Sequence, residues 1–182
     1  MMFGEGEIEL YLGNGALAYA RVSRDTRALK RSLLLTVQHM RAQTAFLRGR
    51  CAIASIEAEP ALRDARLAET TVLADRLDKE RMGWTAPFAA ILRAAIANAK
   101  GDRSGAIVSL KEAIDLAKTA QMAGYETAAR HQLGLLVGGD EGARMVASAE
   151  DAMKAEGIRV PARFAATLVP GRWGSESTQP KP

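Results

Sequence analysis

A Gly-Asp or Gly-Asn pair followed by an alanine-rich stretch of helical period occurs three times in the chain, at Gly13-Asn14, Gly101-Asp102 and Gly139-Asp140. Nothing else in the sequence restricts the fold as much. Glycine enters the left-handed conformation that closes a helix at little steric cost, and Asp or Asn in the next position can hold free amides of the helix that follows. A loop this short also turns the second helix back antiparallel on the first. The first two copies lie 88 residues apart, an offset that aligns Ala18 with Ala106, Val22 with Leu110 and Leu29 with Ala117, and the third follows 38 residues after the second. If 88 residues hold two units, the unit is roughly 38 to 44 residues, within the range of helix-turn-helix repeats.

Small side chains at matching places let neighbouring helices approach closely, and such a hairpin buries its apolar face only against the next one. The expected fold is therefore all-α: a right-handed α-α superhelix, or solenoid, of about four hairpins plus a C-terminal capping helix over residues 1 to 173. Its odd-numbered helices should line one concave side. Residues 174 to 182 carry no apolar anchor and read as a disordered tail. Composition agrees with this class. At 182 residues and 48% hydrophobic content the chain can bury the core of one domain, while aromatics are only 5% and Val, Ile and Thr never alternate as in strands.

The helical period and its stops predict nine segments. They cover about residues 5–12, 15–30, 32–55, 60–79, 86–100, 103–123, 125–137, 140–155 and 161–169. The third is expected to be the longest, with Leu33, Val37, Met40, Thr44, Leu47, Cys51 and Ala54 along one stripe. In the fourth, Leu62, Val72 and Leu77 trace the inner turns. Thr85 is placed to cap the fifth, with Pro87 in its first turn, and Gly124 to close the sixth.

Gly101, Ala106, Leu110 and Ala113 are similar to the second half of a tetratricopeptide repeat, although the tryptophan and Leu-Gly pair of the first half do not fall at their expected offsets before Gly101. More specifically, the stretches RSLLLTVQHMRAQTAFLRGR, GWTAPFAAILRAAIANAKGD, AGYETAARHQLGLLVGGDEGARMV and GIRVPARFAATLVPG resemble the C-terminal region of large bacterial serine/threonine protein kinases that carry tetratricopeptide-like arrays. The resemblance spans most of residues 5 to 173. It implies a non-catalytic array that recruits protein partners or restrains a kinase lying before residue 1, Met1 being an added initiator. The alternative it leaves open is a sensor or effector repeat domain of a transcription regulator or signalling ATPase. The kinase motifs themselves are missing: there is no Gly-rich loop with a strand lysine, no His-Arg-Asp loop and no Asp-Phe-Gly triplet.

Other candidate chemistry reads as structural. Gly13 and Gly15 have neither a preceding strand nor a third glycine, as a dinucleotide site would need, and VGGDEG at 137–142 lacks the Lys-Ser/Thr of a phosphate loop. His39 and His131 are too few for a metal cluster and read as surface or groove residues, and the single Cys51 excludes an internal disulfide and any Cys-based zinc site. Cys51 lies on an apolar stripe, as a buried thiol would. Trp84 and Trp173 flank helices and read as covers for core edges. No catalytic, cofactor-binding or metal-binding residue is assigned, so the chain is expected not to be an enzyme. The lone cysteine, the absence of a signal-like start and the absence of an apolar run of about 20 residues point to the cytoplasm, not a membrane.

Charge is uneven. Net charge is +4, yet residues 21 to 56 hold eight bases, Arg21, Arg24, Arg27, Lys30, Arg31, Arg41, Arg48 and Arg50, against Asp25 alone. Such a stretch either meets an acidic or phosphorylated protein partner or is paired internally, and nucleic acid is the weaker alternative because interleaved aromatics are missing. Leu34, Arg41 and Arg48 fall seven apart and are the candidate partner contacts, with Glu57, Glu69 or Asp75 as internal rivals for the two arginines. A cut first hairpin would also expose Ile8 and Leu12, an edge through which the chain could self-associate.

Overall fold

The structure, a computed structural model, describes residues 2–29, 31 and 33–174. Lys30 and the expected tail beyond Gly174 lie outside the described residues. Among those described there are nine α-helices and no strand: α1 Met2–Tyr11, α2 Gly15–Leu29, α3 Gln38–Ser55, α4 Arg63–Lys79, α5 Ala86–Ala99, α6 Arg103–Thr119, α7 Ala123–Val137, α8 Gly139–Ala155 and α9 Pro161–Leu168. Short 3-10 turns at Leu33–Thr36 and Pro60–Leu62 precede α3 and α4.

Four helices end in the same way. After α1, the amide of Gly13 donates to the Leu10 carbonyl (3.1 Å) and that of Asn14 to the Glu9 carbonyl (2.8 Å). Gly101 and Asp102 repeat the pair on Asn98 and Ala97 (2.9 and 2.9 Å), Gln121 and Met122 on Lys118 and Ala117 (3.1 and 2.8 Å), and Gly157 and Ile158 on Lys154 and Met153 (2.9 and 3.0 Å). This double bond is the Schellman closure, and its pivot is left-handed in each case, with φ of 81°, 78°, 56° and 83° at Gly13, Gly101, Gln121 and Gly157. Asp102 then caps α6, its carboxylate accepting from the Gly105 amide at 2.9 Å.

Several expectations need correction. The closure after α6 pivots on Gln121, not Gly124, which lies inside α7 with Phe164 of α9 only 3.5 Å from the place of a Cβ. Gly139-Asp140 is a different junction: Gly138 alone separates α7 from α8, and Gly139 already opens α8. Thr85 stands before α5, but its hydroxyl donates back to the Met82 carbonyl (2.8 Å) and caps nothing. The expected long helix over 32–55 is two elements. Thr36 bonds back to the Leu33 carbonyl and Val37 is extended (φ −73°, ψ 117°), so α3 begins only at Gln38, and Leu33, Leu34 and Val37 are exposed. In α4 the core takes Leu67, Thr70, Leu73, Ala74 and Leu77, leaving Leu62 and Val72 at the surface.

Each helix packs on the next, and further contacts join α1 to α3, α3 to α5, α7 to α9 and α9 to α1. The main core sits where α3, α5 and α7 meet. Phe46 and Phe88 stack with ring centres 3.9 Å apart, and Tyr125 meets both at 5.8 and 5.1 Å. Alanines at 89, 90, 94, 95, 106, 113, 128 and 129 are buried between the helices, which explains why so alanine-rich a chain can pack closely with few aromatics. A smaller cluster of Leu10, Ala18, Val22, Leu47 and Cys51 joins α1 and α2 to α3.

Candidate functional site

Helices α2 and α4 both pack on α3. They are joined across it at Tyr19: Tyr19 of α2 donates to Glu69 of α4 (2.6 Å), and the Arg66 guanidinium lies 3.6 Å from the centre of the Tyr19 ring. Towards the end of α2 a cleft of about 580 Å³ remains, lined by Thr26 of α2, Leu35 of the 3-10 turn, residues of α3 from Arg41 to Arg48, residues of α4 from Glu69 to Lys79, and Glu80 just after α4. Its floor is apolar, from Ala42, Ala45, Leu73 and Leu77, all buried. Thr44 lies on the same wall, 4% exposed, and its hydroxyl has no hydrogen-bond partner.

Two of the three candidate contact residues come together in this cleft. Arg41 pairs with Glu80 through both nitrogens of its fork (2.5 and 2.7 Å) and also donates to the carbonyls of Leu35 and Thr36 at 3.2 and 3.4 Å. The hydrogen bonds from Arg41, assisted by Gln38 and opposed by slight desolvation, hold the Glu80 carboxyl below the usual range. Arg48 is hydrogen-bonded to Glu69 and lies near the Tyr19 ring. Leu34 is on the 3-10 turn, so its seven-residue spacing from Arg41 is not a helical register. The arginines also face α4, not the side where α3 meets α5. Of the rival carboxylates, Glu69 does pair with Arg48, whereas Glu57 pairs with Arg172 and Asp75 with Arg93.

Most of the basic stretch is neutralised in the same way. Arg21 lies 3.7 Å from Glu5 and 3.3 Å from Glu9, Arg24 pairs with Asp25, and Arg50 with Glu7. Arg50 is 1% exposed, over the Phe46 ring at 4.6 Å, and donates to the Thr167 carbonyl of α9 at 2.9 Å. Burial opposes its charge, but attraction and hydrogen bonding from Glu7 outweigh it and raise its pKa. Sequence reasoning missed this ion pair on a buried arginine, because 43 residues separate its members and no local pattern links them. The segment after α9 is held alongside: Gln132 donates to the Val169 carbonyl (3.2 Å), Asn98 to that of Arg172 (2.6 Å), and the Trp173 indole to that of Val169 (3.1 Å).

The remaining motifs are structural in place. Cys51 is buried, and burial pushes its thiol up to about 12. Gly15 abuts the Ala54 carbonyl, and Gly142 packs on Gly134, so neither lies in a loop that a phosphate could enter. The first turn of α8 carries Asp140 and Glu141, which repel an anion. His39 stays exposed beside Trp84 (5.2 Å), as expected, but His131 does not: it is 3% exposed, with Nε2 3.6 Å from Glu150 and Nδ1 unpartnered. The described residues hold no group of three His, Cys, Asp or Glu side chains able to bind a metal, and no helix long and apolar enough to cross a membrane. No protein-family model, curated protein or solved structure matches the chain.

Proposed function

We propose that the chain is a non-catalytic, tetratricopeptide-like array of helical hairpins that binds a protein partner in the cytoplasm, as the C-terminal part of a larger bacterial signalling protein such as a serine/threonine kinase. The observation that carries this reading is the fourfold recurrence of one helix closure in a chain whose successive helices pack on each other. Hairpins built this way expose long helical surfaces without needing a catalytic centre. The partner surface joins the rim of the α3–α4 cleft, with Arg41, Arg48 and exposed Val72, to the exposed Leu33, Leu34 and Val37 that precede α3. Because both arginines already have carboxylate partners, their contribution is orientation more than net charge, and the apolar rim supplies the contact area. Ile8 and Leu12, 59% and 54% exposed, form a second surface for self-association.

The test is partner capture with wild-type chain and with Leu34→Asp, a position 49% exposed, with the melting temperature of both measured so that lost binding is separated from lost stability. A partner retained by the first and lost by the second supports the reading. Equal retention by both, or ATP turnover that copurifies with the chain, would overturn it.

A second reading, the sensor domain of a regulator, is favoured by the cleft itself, whose volume of about 580 Å³ lies within the range of small-molecule sites.

A further inference from the structure

The charges around the cleft do not balance. Its lining holds four cations, Arg41, Arg48, Arg76 and Lys79, and two carboxylates, Glu69 and Glu80. Arg41 and Arg48 are each matched to one of those carboxylates. Among the described residues Arg76 and Lys79 have no carboxylate partner, and they stand three apart on α4, hence on one face. The same lining includes the buried apolar side chains of Ala45, Leu73 and Leu77.

We propose that this cleft binds a small amphiphilic carboxylic acid: an aliphatic or aromatic body over Ala45, Leu73 and Leu77, and a carboxylate held by Arg76 and Lys79. Charge complementarity selects an anion, because two cations remain after the internal pairs are formed. The floor selects an apolar body, since a sugar or nucleobase would need several polar partners and Ala45, Leu73 and Leu77 offer none. The competing explanation for Arg76 and Lys79 is that basic side chains in the last turn of α4 complement its dipole. That account leaves the apolar cleft between α3 and α4 without a role. The proposal does not depend on the partner reading of the rim.

Calorimetric titration of the full chain with decanoate and 2-naphthoate, with decanol as the neutral control, tests it. At least one acid should bind with a 1:1 ratio and at least tenfold more tightly than decanol. Arg76→Gln with Lys79→Gln, at exposed positions that preserve the fold by circular dichroism, should weaken that binding at least tenfold. Binding by neither acid, affinity equal to that of decanol, or undiminished binding by the double variant would each overturn the proposal. Binding of a glutamate-rich peptide where both acids fail would assign the cleft to a protein segment instead.

Discussion

Arg50 and Glu7 show how a charge can sit inside an alanine-rich core. The guanidinium is buried whereas the Glu7 side chain is 39% exposed, so removal of one partner is not equivalent to removal of the other. Glu7→Gln leaves a buried cation without its counter-charge and should cost about 3 kcal/mol. Arg50→Met fills the same space, lets Glu7 return to water and leaves only the Thr167 carbonyl short of a donor, so its cost should be smaller. Urea denaturation of the two variants gives the order, and a larger loss for Arg50→Met would contradict this account. Cys51 gives a pH dependence at the same scale. Its folded pKa is raised from 9.0 to about 12, so the unfolded thiol ionises first. The contribution to stability is full below pH 9 and falls as pH rises from there towards 12. Stability of wild type should therefore drop more steeply than that of Cys51→Ala across this window, and iodoacetamide should label Cys51 no faster than the chain opens. Parallel pH curves, or rapid labelling of the folded chain, would refute it.

At the scale of elements, glycine does two different jobs in this chain. At Gly13 and Gly101 it supplies a left-handed φ in open space. At Gly134 and Gly142 it permits contact, because a Cβ on Gly134 would lie 2.8 Å from the Gly142 carbonyl and 2.9 Å from Val146. Gly134→Ala should therefore separate α7 from α8 and cost about 1 to 3 kcal/mol through overpacking. Thermal denaturation measures it, and an unchanged or higher melting temperature would show that α8 yields without loss. Most boundaries of the helices were legible in the sequence because closure is local: the pivot, its carbonyl partners and the next cap lie within a few residues. The start of α3 was not. Leu33, Leu34 and Val37 keep a helical spacing, but a spacing does not reveal whether anything lies opposite it, and those side chains meet solvent. The slip in α4 has the same cause, since Leu62 and Val72 or Leu67 and Leu73 would each serve as an inner stripe until neighbouring helices select one.

At the scale of the whole molecule, the two ends of the helical region are joined. In an array where each unit touches only its neighbours, removal of the last unit disturbs the one before it. Here α9 touches both α7 and α1, with Thr167 bonded to Arg50 and Arg50 to Glu7. Truncation after Glu156 should therefore raise amide hydrogen exchange in α1, at the opposite end of the sequence, as well as in α7. If exchange rises only in α7 and α8, the contact through Arg50 does not couple the termini.

The all-helical class follows from the sequence by itself, as do the nine helical segments and the positions of the Gly13 and Gly101 closures, because helix propensity, apolar period and left-handed glycine act within a few residues. Part of the candidate site was legible too: Arg41 and Arg48 do share one face of α3. Only the tertiary structure decided that this face turns towards α4 and is paired with Glu80 and Glu69, that Arg50 and His131 are buried, and that a cleft opens beside Thr44. Each of these outcomes depends on which surfaces meet across gaps of tens of residues. Local energetics cannot select that meeting, because it is set by the packing of whole helices.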